Sequence, residues 1–231
     1  MSRAILAIDT SGSFCSVAVR APDGAVVERN SSGDGDHFER LPSLVSEVCA
    51  GAGISLQDLA AIRIGLGPGS FTGLRIGLSF AKGLASARAI PLSGVGSFHA
   101  VAAEVLSREA EVETVGVLSD ARRDEVFVAA FSRRPGSVVA AGEVEAISEP
   151  QILPISDLSS APWSGVKVWY SPLRDFALTG IELRQTPSIA RGMLLGKVEI
   201  GTFSLSDIAA LEPSYLRAVA AKTIAERQQG G

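Results

Sequence analysis

One pattern recurs along this chain and limits what it can fold into. An apolar run ending in an Asp, a short polar turn and a second run with alternating apolar residues occur first at Ile5-Leu6-Ala7-Ile8-Asp9 and Phe14 to Arg20. The same order returns at Val115 to Ser119, Asp120, the turn Ala121-Arg122-Arg123-Asp124, and Glu125 to Phe131. A single shift lays Asp9 on Asp120 and Val17 on Val128. A strand, Asp, turn, strand unit repeated at one spacing predicts two similar halves, although one hairpin could also echo another by chance. The rest of the first half sorts by periodicity. A third strand is expected around Ala25 to Arg29, a helix over 37–50, a strand over 61–66, a helix over 71–87, a strand over 90–95 and a helix over 97–108. After the second hairpin a strand is expected over 138–147. Residues 149–190 are broken by Pro150, Pro154, Pro162, Pro172 and Pro187 around short strands such as 166–170, and a helix over 188–200 follows. The class is mixed α/β.

Composition removes several function classes. With 46% hydrophobic and 20% charged residues over 231 positions, the chain can bury a real core and is neither disordered nor fibrous. A net charge of −4 and no obvious basic block argue against a molecule that grips a polyanion as a whole. Cys15 and Cys49 form no CxxC pair and read as reduced thiols. The first apolar run is stopped by Asp9, too early for a signal segment. No window approaches the roughly 18–20 uncharged apolar residues of a membrane span. A soluble, cytoplasmic protein without membrane contact is expected.

The most distinctive segment runs from Gly65 to Gly77, Gly-Leu-Gly-Pro-Gly-Ser-Phe-Thr-Gly-Leu-Arg-Ile-Gly. Glycine-rich turns ahead of a helix can hold phosphate on free N–H groups. However, there is no GKS or GKT, and the spacing is not a dinucleotide fingerprint, so a tight strand-to-helix turn is the favoured reading. In the helix that follows, Phe71, Leu74, Leu78, Ala81 and Ala85 form one stripe, widened by Ile76, Phe80 and Leu84. A helix apolar nearly all round must be covered, by its own domain or by another chain. Asp9 has two readings, a carboxylate holding Mg²⁺ near a nucleotide phosphate or an Asx-turn residue, and Asp120 has the same two. The histidines His37 and His99 belong to no HExxH or HxxxH motif, and no GxSxG elbow occurs. No catalytic residue, metal ligand or cofactor is therefore assigned.

The residues Ile5 to Ser11, the Gly67 to Gly77 run, His37-Phe38-Glu39-Arg40-Leu41, Asp120 to Phe127 and Pro213-Ser214-Tyr215-Leu216-Arg217 together resemble the TsaB (YeaZ) family. That resemblance implies an actin-like ATPase (ribonuclease H-like) fold of two duplicated halves, each a mixed sheet flanked by helices, here 1–108 and 109–231. It implies an accessory, non-catalytic part in threonylcarbamoyladenosine modification of tRNAs reading codons that begin with A. The implied partners are the catalytic paralogue TsaD and the P-loop ATPase TsaE, with a homodimer when alone and tRNA met only through the complex. The implied partner-facing residues are Phe38, Leu41, Val45 and Val48 of the first helix and Phe71, Leu74, Leu78 and Ala81 of the second. Asp9, Thr10, Ser11 and Asp120 would line a vestigial nucleotide cleft. The competing expectation is a stand-alone actin-like ATPase or small-molecule kinase using that cleft.

Overall fold

Turn chemistry and strand burial set the first sheet. In the computed structural model, which describes residues 3–31, 39–136, 143–159, 163, 166, 168–172, 178, 181–186, 188–195 and 200–216, β1 (Ala4–Asp9) is buried along its whole length. It pairs antiparallel with β2 (Ser16–Arg20), which pairs antiparallel with β3 (Val26–Asn30). The β2–β3 turn is tightened by Asp23, whose carboxylate accepts from the Ala25 N–H at 2.9 Å, and by Gly24 at φ +93°. The chain continues through α1 (Leu41–Gly51), β4 (Leu59–Gly65), α2 (Phe71–Arg88) and β5 (Leu92–Val95). β4 lies parallel to β1, and β5 parallel to β4, giving the order β3-β2-β1-β4-β5.

After α3 (Ser97–Arg108), the second sheet repeats that plan. β6 (Thr114–Arg122), β7 (Glu125–Arg133) and β8 (Val144–Pro154) form an antiparallel meander. β9 (Trp169–Ser171) runs parallel to β6, and β10 (Leu183–Gln185) parallel to β9. The order β10-β9-β6-β7-β8 is that of the first sheet, element for element. The echo between the two hairpins therefore extends to whole sheets, and the fold is the expected α/β actin-like one with two similar halves.

Two short helices, α4 (Ile189–Gly192) and α5 (Leu205–Ala210), follow. α3 and α4 share one core with Ile5, Ala7 and Ala18 of the first sheet and Val117, Ala129 and Phe131 of the second. Arginines satisfy carbonyls left over at helix ends, where a cation is favoured. Arg133 donates to the Leu106 carbonyl in the last turn of α3 at 2.9 Å and to the Val112 carbonyl beyond it at 3.0 Å, and Arg20 donates to the Leu194 carbonyl at 2.8 Å, beyond α4. On the opposite face of the first sheet, α1 and α2 pack over Leu6, Ile8, Val17, Val19, Ile62 and Ile64.

The elements differ from expectation in three places. β8 runs through Pro150 to Pro154, because it is the edge strand of its sheet and proline there interrupts no inner ladder. Of the helix expected over 188–200, the described residues form a single turn, α4, with 196–199 outside the described residues, and α5 was not anticipated. Part of the strand expected over 138–147 lies outside the described residues.

Candidate functional site

β1 ends in Asp9, and the turn after it is closed over by the glycine segment. Asp9, Thr10 and Ser11 are 0%, 0% and 1% exposed. Oδ1 of Asp9 accepts from the backbone N–H and the hydroxyl of Ser11 at 2.8 and 2.6 Å. Oδ2 accepts from the hydroxyl of Ser97, the first residue of α3, at 2.6 Å. Ser97 Oγ in turn accepts from the Gly67 N–H at 3.1 Å. Thr10 donates its hydroxyl to the Gly73 carbonyl at 2.7 Å, and the Ser70 N–H donates to the Ser11 carbonyl at 2.8 Å. This close approach is what the glycines permit. A Cβ on Gly69 would lie 2.3 Å from the Ser11 carbonyl oxygen, and one on Gly77 would lie 2.1 Å from Thr10 Oγ1. The turn is thus a packing device, as its spacing favoured.

Burial pushes the Asp9 carboxyl above the usual carboxylate range, against the hydrogen bonds from Ser11 and Ser97. Burial, then the nearby Asp9 charge, pushes the Cys15 thiol up to about 12. Asp9, Thr10 and Ser11 face their own chain rather than an open cleft. Sequence reasoning missed Ser97, the link from Asp9 to α3; its position directly after Gly96, at a helix start, was the available signal.

Asp120 holds a separate local turn. Its Oδ1 accepts from the Arg122 N–H at 2.6 Å, and its Oδ2 lies 3.2 Å from the Arg122 guanidinium. Arg122 pairs with Glu125 across the hairpin, leaving Arg123-Asp124 as a two-residue loop. Arg122, Arg123 and Asp124 adopt φ of 69°, 60° and 58°. Those are the left-handed values such a loop requires and glycine or asparagine meets most easily. The Asx-turn reading holds for Asp120.

The expectation for the helix faces needs correction. Leu41, Val45 and Val48 of α1 and Leu74, Leu78 and Ala81 of α2 are all buried within the chain. The reason is geometric: apolar residues at helical spacing form the stripe that covers the chain's own sheet, and that stripe is not available to a partner. Phe38 lies outside the described residues. Phe71 is 42% exposed, and it stacks with Tyr215 at 5.2 Å beneath the Arg75 guanidinium, 4.0 Å above the Phe71 ring. The outward side of α2 carries Thr72, Ser79, Gly83 and Ala87, flanked by half-buried Ile76 and Phe80. On the same face of the sheet, α1 exposes Pro42, Ser43, Ser46, Glu47 and Ala50. Gly83 stands out there, because a Cβ on it would meet nothing within 4 Å. Among the described residues no three His, Cys, Asp or Glu side chains gather as a metal site, and no helix is long and apolar enough to cross a membrane.

Known proteins place this geometry. The sequence matches the family described as TsaD: tRNA N6-adenosine threonylcarbamoyltransferase over residues 28–223. YeaZ from Pseudomonas aeruginosa superposes with a TM-score of 0.70 at 27% identity, covering 94% of this chain and 100% of that one. This chain belongs to the TsaB (YeaZ) branch of the TsaD family. The tRNA threonylcarbamoyladenosine biosynthesis protein TsaB of Escherichia coli (strain K12) is 35% identical over 149 residues, 64% of this chain and 64% of that protein. Its counterpart in Bacillus subtilis (strain 168) is 30% identical over 159 residues, 69% of this chain and 63% of that protein. The chain therefore spans just under two thirds of the length of these TsaB relatives. The structural match, over 94% of this chain, extends across both sheets.

Proposed function

We propose that this chain is a non-catalytic accessory subunit in threonylcarbamoyladenosine modification of tRNAs that read codons beginning with A. It acts by docking to a TsaD-type transferase, alongside a TsaE-type ATPase, through the outward side of α1 and α2. The observation that carries this reading is the closed turn at Asp9. The carboxylate that an actin-like ATPase would turn toward metal and phosphate is fully buried here and hydrogen-bonded to Ser11 and Ser97. A side chain with no exposed surface cannot ligate a soluble ion without breaking those bonds. That arrangement favours the accessory reading over a stand-alone ATPase or kinase. The strip of small residues on the outward side of α2, with an open glycine mid-helix and Arg75 on its flank, suits a second helix packing closely against it.

The deciding experiment mixes the chain with purified TsaD-type and TsaE-type proteins, tRNA and a source of threonylcarbamoyl-AMP. Labelled threonine should enter tRNA only when the chain is present. Full incorporation without it overturns the accessory role, and tight magnesium-ATP binding by the chain alone favours the kinase alternative.

A further inference from the structure

Arg63 is an unusual residue for a central strand. It stands on β4 beside Ala61, and one guanidinium nitrogen donates to the Met193 carbonyl beyond α4. Its Nε is buried and has no hydrogen-bond partner among the described residues. The charged groups that act on it or lie close to it include Arg20, which caps the neighbouring Leu194 carbonyl, and His99 of α3. Burial, then Arg20, lowers the Arg63 pKa. Burial, then Arg63 and Arg134, lowers that of His99, with Glu149 opposing. A half-buried cation beside another cation is unfavourable unless an anion compensates it, and a carbonyl supplies only a dipole.

Space for an anion lies alongside, where it would meet the Nη nitrogens, since the Nε is closed off from solvent. Arg63 borders a pocket of about 280 Å³ between β4, β5 and residues 201–208, with Ser93, Thr202, Ser204 and Asp207 on its walls and Ile208 at its apolar side. The volume falls just below the range of drug-sized ligand sites, so it admits a molecule of a few heavy atoms and not a nucleotide. A guanidinium fork matches a carboxylate, and the hydroxyls can orient it. Asp207, exposed at the rim, offers the opposite charge to the other end of the same molecule.

We propose that this pocket binds a small amino acid, its carboxylate on Arg63 and the wall hydroxyls and its ammonium toward Asp207. The site is separate from the outward side of α1 and α2, and it stands whether or not the accessory role does.

Titration calorimetry on the full chain tests it, with serine, glycine and acetate as probes and methylammonium chloride and sodium chloride as controls at matched ionic strength. Serine and glycine should bind saturably and more tightly than acetate, and the two chloride salts should give no saturable signal. Arg63→Met should weaken all carboxylates at least tenfold. Asp207→Asn should reduce the amino acids to the level of acetate while leaving acetate unchanged. Should Arg63→Met fail to fold, Ser93→Leu decides, because it fills the pocket from an exposed wall and leaves Arg63 in place. A signal shared by sodium chloride, no saturable binding by any probe, or binding unchanged in Ser93→Leu overturns the site. Amino-acid affinity unchanged in Asp207→Asn overturns the ammonium assignment.

Discussion

Gly83 separates the stability of the chain from its docking in a single position. Glycine inside a helix costs about 0.8–1 kcal/mol relative to alanine, because it loses more backbone freedom on folding. At many glycines that cost is offset by a close approach, as at Gly77 against Thr10, but at Gly83 an added Cβ meets only open space. Gly83→Ala should therefore stabilise the isolated chain by about 1 kcal/mol, and Gly83→Arg by slightly less, since arginine is also a good helix former. In urea unfolding both should raise the midpoint without changing the slope. Docking should respond in the opposite sense. Helices packed at small residues sit about 8 Å apart, and an arginine at the seam would hold them off. A loss of about 2 kcal/mol, roughly thirtyfold in affinity, is the expected scale for an obstructed interface centre. The assay is calorimetric binding of each variant to a TsaD-type transferase. A destabilised Gly83→Ala would refute the open-space argument, and undiminished binding by Gly83→Arg would remove this side of α2 from the interface.

Other substitutions probe the remaining parts. Leu74 is 1% exposed, and its Cδ1 would lie 2.9 Å from a Cβ on Gly67. Leu74→Ala should cost about 2–5 kcal/mol in urea unfolding, and Leu74→Asp should fail to fold rather than merely lose a partner; a cooperative, near-native Leu74→Asp would contradict the burial. Arg123→Gly, at φ 60° in the β6–β7 loop, should stabilise by about 1 kcal/mol by removing left-handed strain, and a lower thermal midpoint would mean the side chain contributes more than its backbone costs. The Asp58 carboxyl is held below its ordinary value, first by the backbone and then by the hydroxyl of Ser55. Its contribution is thus present above the usual Asp range and lost as pH falls through the depressed value. Ser55→Ala, which removes the hydroxyl and keeps the N–H, should return the titration part of the way toward 3.8, followed by carboxyl NMR, and an unmoved curve would reject the hydroxyl's share.

Much of the fold was legible because the signals were local. Apolar residues within β1, the Pro22-Asp23-Gly24 turn and the helical spacing from Phe71 to Ala85 each fix an element through a few neighbours. The expected bounds of α3 match those observed, since Gly96 and Arg108 mark both ends. What failed depended on distant context. Pro150 argues against a strand until β8 is known to be an edge, and the α4 helix stops early although its pattern continues. The helix faces failed for a related reason. A stripe of apolar residues says that something covers it, and only the tertiary fold says that β1, β2 and β4 do. Asp9 was recognised as special, yet its partner Ser97 lies far along the chain, and no periodicity links the two.

The near-complete apolar circumference of α2 presented a choice between cover by the domain and cover by another chain, and the chain itself covers the inward side and one flank. Leu74, Leu78, Ala81 and Ala85 are buried on the inward side. The returning C-terminal segment takes one flank: Ile208 of α5 enters the same core, Lys82 donates to the Ala209 carbonyl at 2.9 Å, and Arg75 donates from Nε to the Tyr215 hydroxyl at 3.0 Å. The Ser214 N–H, bonded to the Leu66 carbonyl at 2.7 Å, ties that segment to the glycine turn that closes over Asp9. The same segment therefore steadies the buried turn and bounds the outward strip from Thr72 to Ala87. A partner helix would meet a strip already fixed on both its inner side and its flank, and rigid presentation of that kind lowers the ordering cost of association. Phe71 and Tyr215 stand exposed together at the start of α2, their rings 5.2 Å apart.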